Sequence, residues 1–145
     1  MGGTAIRVCA RVRPTLKSSG EIDIPQRFGT QKSMSVRSLE SSLDWCFDAS
    51  ASQEDVFVHA CKDSVTSVLE GYNAAILAYG QTGSGKTHTM FGPPGCLTEA
   101  ALGAAGGGVP ESWDIFPRTV LWLLGAPGLG SLHASAVEVY QDKAY

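Results

Sequence analysis

The sequence is poor in the features that mark secreted, metal-binding and membrane proteins. Only four cysteines occur, Cys9, Cys46, Cys61 and Cys96. They form no CxxC pair and have no neighbouring Cys/His set, which argues against a zinc site. Three of them sit in apolar stretches, where a free thiol behaves as a small buried hydrophobe suited to a reducing compartment. No apolar run approaches the length needed to span a membrane. The first residues lack the apolar core of a signal peptide, and Ile6 stands where a myristoylation signal favours Ser or Thr. These absences predict a cytoplasmic address. Charge is also scarce: 17% of residues are charged, with 11 basic against 14 acidic side chains. That balance excludes a global attraction to nucleic acid or to a membrane surface. There is no internal repeat, no heptad pattern and no charged tail.

What is present suits one α/β domain. A chain of 145 residues can bury about 68–70% of its unfolded surface. Residues 5–12 alternate Ile6, Val8, Ala10 and Val12 with Arg7, Cys9 and Arg11, which predicts a strand closed by Pro14. Residues 15–44 are polar and Ser-rich and read as irregular, with a strand around Met34 to Val36 held loosely. Phe47 to Ser50 leads into a helix. Ser50 with Gln53, and Ser52 with Asp55, both have capping-box spacing. Phe57, Cys61, Val65, Val68 and Leu69 then fall on one helical face, and Gly71 is placed to end the helix. The apolar run Ala74 to Tyr79 reads as a central strand buried on both faces. A helix is expected from near Gly85 towards Met90. Residues 92–113, with small residues throughout, read as a mobile loop that buries little. Helix resumes around Pro117, packed by Val120, Leu121, Leu123 and Leu124, and a strand is expected from Leu132 to Tyr140. The order predicts a mainly parallel or mixed central sheet flanked by helices.

Chemistry concentrates in Gly80-Gln81-Thr82-Gly83-Ser84-Gly85-Lys86-Thr87, which satisfies G-x-x-x-x-G-K-[ST]. The glycines permit a tight turn that aims successive amide hydrogens at one anion. Lys86 reaches the β- and γ-phosphates of a nucleoside triphosphate, and the Thr87 hydroxyl is the Mg²⁺ ligand. The helix that follows adds its positive N-terminal end. The bland alternative is a flexible Gly/Ser turn. The strand-like run ending at Tyr79 and the helix signal after Gly85 favour the phosphate loop. The dinucleotide pattern G-x-G-x-x-G fails, because His88 stands where its last glycine would fall. Neither D-x-x-G nor N-K-x-D occurs, which disfavours a GTPase.

Four segments in order then resemble the kinesin motor domain. They are Arg11-Val12-Arg13-Pro14; Phe47-Asp48 with Gln53 and Val56-Phe57; Gly71-Tyr72-Asn73 through the phosphate loop to His88-Thr89-Met90; and Val137-Glu138-Val139-Tyr140-Gln141-Asp142-Lys143-Ala144-Tyr145. The resemblance implies a phosphate-loop NTPase fold and a microtubule-based ATPase. It implies ATP and Mg²⁺ as cofactors, tubulin as partner and the cytoskeleton as the place of work. It also implies that Arg11, Arg13 and Pro14 border the adenine ring and that His88 packs on its other face. Flat or cationic groups suit a π-system. Without the resemblance the arginines read as a solvated strand end and His88 as an ordinary helix residue.

The sequence departs from the family pattern in two respects. Asp114-Ile115-Phe116-Pro117-Arg118 stands where the family has a Gly-Ile-Ile-Pro-Arg-like segment. The resemblance also covers only the N-terminal part of a motor domain, Met1 to Tyr145. The first switch, the Asp-Leu-Ala-Gly-like second switch and the main microtubule-binding elements have no counterpart here. No catalytic residue is therefore assigned, and little hydrolysis is expected from these residues alone. An incomplete sheet is expected to expose an edge and apolar surface, making the isolated chain poorly soluble or partly folded. The alternatives are a non-catalytic nucleotide-binding remnant of a kinesin and, with less support, another phosphate-loop phosphotransferase.

Overall fold

A computed structural model describes residues 6–14, 22–23, 33–36 and 39–144. Ala5, most of the Ser-rich stretch before Ser33, and Tyr145 lie outside the described residues. The alternating segment near the N-terminus forms β1 (Cys9–Arg11). It pairs in parallel with β5 (Trp45–Phe47), with Ala10 opposite Cys46. The pairing extends at both ends, with Val12 N donating to Phe47 O at 2.9 Å and Asp44 N to Val8 O at 2.9 Å. The stretch expected to be irregular holds β2 (Ile22–Asp23), β3 (Ser33–Val36) and β4 (Leu39–Ser42) in one antiparallel sheet. Cross-strand partners supplied there what a polar sequence did not advertise. The strand expected around Met34 to Val36 is present within β3.

Of the two capping-box pairs, Ser52 and Asp55 form the box that starts α1 (Gln53–Val56). Asp55 N donates to Ser52 Oγ, and Ser52 N donates back to Asp55 Oδ2, both at 3.0 Å. Ser50 turns instead to Asp48, donating from N and Oγ to Oδ1 at 2.7 and 2.6 Å. The helix then widens into a π-helical turn (Phe57–Cys61), closed by Lys62 N donating to Phe57 O, and continues as α2 (Lys62–Leu69). The extra residue in that turn rotates everything downstream about the axis. Phe57, Cys61 and Val65 remain buried, but Val68 and Leu69 emerge at 41% and 43% exposure, so the predicted apolar stripe ends at Val65. Gly71, at φ 91°, ends the helix as expected. Its N–H bonds Val68 O and that of Tyr72 bonds Ser67 O, the paired bonds of a Schellman stop.

The core is small. Phe47 of β5, Val56, Phe57, Cys61 and Val65 of the long helix, and Ile115 and Leu123 of α5 (Ile115–Leu124) form one cluster, with Cys9, Ile76 and Met90 packed against it. Burial of each such side chain contributes about 1.5–3 kcal/mol. Among the described residues no strand pairs with Ala74 to Tyr79. The run is extended, and Leu77 and Tyr79 are 88% and 96% exposed. The expected doubly buried central strand is therefore absent, because a run of this kind becomes one only when strands flank it on both sides.

The helix after the phosphate loop is α3 (Lys86–Met90). The loop that follows buries more than expected. It contains α4 (Glu99–Ala104), capped by Thr98, and Cys96 and Trp113 are buried. Its ends are tied together: Trp113 Nε1 donates to Cys96 O at 2.8 Å and Arg118 Nε to Trp113 O at 2.6 Å. In α5, Ile115, Pro117, Arg118 and Leu123 face inward, while Leu124 is exposed. The strand expected from Leu132 is reduced to a hairpin of β6 (Val139–Tyr140) and β7 (Lys143–Ala144). Its turn is Gln141-Asp142, both at positive φ. No helix among the described residues is long and apolar enough to cross a membrane, and all four cysteines are free.

Candidate functional site

The segment from Gly80 to Thr87 is a turn leading into α3. Glycine is required there for two different reasons. Gly83 and Gly85 sit at φ 80° and 106°, where an L side chain is strained. At Gly80 a Cβ would meet Ser84 Oγ at 2.5 Å. Of the amides from Gly80 to Thr87, that of Ser84 alone donates to a backbone carbonyl among the described residues, reaching Gln81 O at 3.1 Å. The other amides of the turn have no backbone acceptor there. Lys86 Nζ folds back on the turn and donates to Gly80 O at 2.8 Å and Gln81 O at 3.0 Å. A cation held by two neutral carbonyls can exchange them for an anion, which accepts a stronger charge-assisted bond.

A cleft of about 950 Å³ opens beside this turn. One wall is Thr82 to Thr89, and the opposite wall is Arg11, Val12, Arg13 and Pro14. The structure thus brings together the two segments that the sequence placed around a nucleotide. Gly80 and Gln81 do not line the cleft and contribute their carbonyls to Lys86. Arg13 bridges the walls, its guanidinium donating to Gly83 O. His88 also lines the cleft, with its pKa lowered first by burial and then by the Arg11 charge. A neutral imidazole is the form that best offers a flat apolar face.

Arg11 lines the cleft and is also engaged by protein partners. Its guanidinium points into the floor of the cleft. It donates to Asp114 Oδ2 at 2.5 Å, Gln53 Oε1 at 2.6 Å and Thr89 Oγ1 at 3.1 Å. Gln53 in turn lies 3.5 Å from His88 Nδ1 and donates to Ser112 O at 3.4 Å. Asp114 is fully buried, and its Oδ1 has no partner among the described residues. Burial pushes its carboxyl up to about 6 against the opposing pull of Arg11. Sequence reasoning missed Asp114 and Glu111 as neighbours of the cleft, and it used Gln53 only as part of a pattern. The one signal for Asp114 was a carboxylate where the family pattern has glycine.

No group of three or more His, Cys, Asp or Glu side chains suited to a metal occurs among the described residues. A magnesium nucleotide fits this donor set nonetheless. Mg²⁺ takes one or two protein oxygens and completes its shell with phosphates and water, and Thr87 lines the cleft beside the open amides.

Fold and turn together define a phosphate-loop α/β protein. The kinesin motor domain family model matches residues 11–145, and the chain belongs to that family. It is 35% identical over 143 residues to kinesin-like protein KIN-14N of Oryza sativa subsp. japonica, covering 94% of this chain and 18% of that protein. It is 37% identical over 141 residues to human kinesin-like protein KIFC2, covering 94% of this chain and 15% of that one. Among solved structures, the Drosophila kinesin family member Kin10/NOD in complex with divalent manganese and ADP superimposes with a TM-score of 0.71 at 28% identity, over 98% of this chain and 47% of that chain. NOD with AMPPNP gives 0.69 at 26% identity, over 97% and 48%. The chain therefore spans under a fifth of these two relatives and about half of these motor structures.

Proposed function

We propose that this chain is the nucleotide-binding part of a microtubule motor ATPase and that it holds ATP with Mg²⁺ in the cleft between 82–89 and 11–14. One observation carries the reading: the turn at 80–87 presents amides without backbone acceptors beside a retractable lysine. In this reading the amides and Lys86 hold the β- and γ-phosphates, and Thr87 holds Mg²⁺. Pro14 and His88 take the faces of adenine, with Arg13 at the rim. The bound metal supplies charge neutralisation of the phosphates. The NOD structures with manganese and ADP and with AMPPNP support binding of a nucleotide and a divalent cation in the family. Tubulin as partner and the cytoskeleton as location rest on family membership and on a NOD structure docked with tubulin into a microtubule complex. We read residues 1–145 as a partial motor domain.

Hydrolysis needs the attacking water positioned and its charge stabilised. The switch elements that do this in the family pattern have no counterpart in this sequence, so these residues bind nucleotide without turning it over. Titration of the chain with fluorescent ATP and Mg²⁺, competed by inorganic triphosphate, tests the binding. Lys86→Ala removes a charge-assisted contact worth about 1.5–3 kcal/mol, so affinity falls about ten- to a hundredfold. Equal affinity of both forms would sink the assignment. Phosphate release stimulated by microtubules from these residues alone would overturn the statement on turnover.

A further inference from the structure

The buried carboxylate beneath the cleft is the strongest unassigned group in the molecule. Asp114 has no exposed surface, and it precedes α5, which joins the core through Ile115 and Leu123. A carboxylate in such a place is costly unless it is paired. Its partner is Arg11, brought from the end of β1 at 2.5 Å. The same guanidinium holds Gln53 at the start of α1 and Thr89 of α3. Gln53 then reaches His88. A continuous polar path therefore runs from Asp114 through Arg11 and Gln53 to His88, whose ring lines the cleft together with Pro14. Every link joins a different element, so the path fixes the spacing of the walls as well as the orientation of one side chain.

We propose that Asp114 is a positioning residue for the base side of the nucleotide cleft, holding Arg11 on the cleft floor and, through Gln53, setting the His88 ring. The proposal rests on the nucleotide reading above and adds a division of labour. The phosphates are held by the turn and Lys86, which the path does not touch. The base depends on His88, which it does. Arg11 is withdrawn from the base and works as a brace.

The test compares ATP with inorganic triphosphate on the whole chain, because triphosphate reports the phosphate turn alone. Asp114→Asn is expected to weaken ATP about three- to tenfold while triphosphate binding stays within about twofold. Arg11→Met is expected to give the same selective loss. The double variant is expected to be no worse than Arg11→Met, since groups acting through one path do not add. Equal losses for both ligands, or additive losses in the double variant, would make Asp114 a stability residue only and overturn the proposal. If Asp114→Asn fails to fold, Gln53→Met leaves the ion pair intact and cuts the link to His88, and it must show the same selective loss. An unchanged ATP-to-triphosphate ratio in that variant also overturns the proposal. Binding of triphosphate by the unsubstituted chain, with a ratio insensitive to all three changes, defeats this proposal and leaves the nucleotide reading standing. Binding of neither ligand defeats both.

Discussion

At the scale of single residues, the cost of burying charge decides most of what is unusual here. Asp114 illustrates the sign. A carboxyl whose pKa is raised in the folded state takes up its proton on folding, so its contribution to stability is complete at low pH. That contribution is lost as pH rises from its usual value of 3.8 through about 6, a difference worth roughly 3 kcal/mol. Asp48 and Asp55 run the other way, each lowered first by a serine hydroxyl, that of Ser50 and Ser52 respectively. The stability of the parent relative to Asp114→Asn is therefore expected to decline between pH 4 and 7, read from urea melts at each pH. Parallel curves would show that burial does not control this carboxyl. Cys61 shows the same physics in a thiol: burial raises it to about 12, which keeps it protonated and poorly nucleophilic.

Elements depend on a few local contacts. The capping box at Ser52 organises the turn from which Gln53 enters the cleft floor. Ser52→Ala removes both hydroxyl bonds of the box, to Asp55 N and to Asp55 Oδ2, and is expected to cost about 1 kcal/mol, measured by thermal or urea denaturation. A change below a few tenths would mean that tertiary packing alone holds α1. The phosphate turn depends on Gly80 by steric fit, since a methyl there meets Ser84 Oγ at 2.5 Å. Gly80→Ala is expected to displace Ser84 and lower triphosphate affinity at least severalfold, with little change in the melting midpoint because the turn lies outside the core. Undiminished affinity would show that the turn tolerates a Cβ. The π-helical turn acts on a longer scale: its extra residue sets the rotation of α2 about the axis relative to α1, and Phe57, Cys61 and Val65 lie inward across it.

For the whole molecule, the balance of buried and exposed apolar surface is the deciding quantity. The core cluster unites β5, the long helix and α5, while Ile6, Leu77, Tyr79, Val137 and Val139 are each more than 70% exposed. An extended apolar segment without a ladder partner is a template for pairing with another chain. The 145-residue chain is therefore expected to self-associate. Leu77→Lys with Tyr79→Lys is expected to raise the monomer fraction in analytical ultracentrifugation without lowering the unfolding midpoint. A parent chain that is already monomeric at high concentration would contradict this account.

Local chemistry was legible in the sequence wherever it is written in consecutive residues. The phosphate turn, the caps at Ser52 and Gly71, the helix of Lys86–Met90 and the order of the family segments needed no tertiary information. Each depends on backbone conformation or on side chains a few positions apart. Other features required the folded chain. Arg11 meets Asp114 because the start of α5 brings a carboxylate to the end of β1 from 103 positions away in sequence. Ala74 to Tyr79 lacks a ladder among the described residues because pairing depends on neighbours the run cannot specify for itself. The polar stretch before Trp45 forms strands because cross-strand bonds are made between segments and outweigh local propensity. Composition and spacing determined which groups could meet a phosphate. Long-range packing, through desolvation and strand pairing, decided which partners those groups kept.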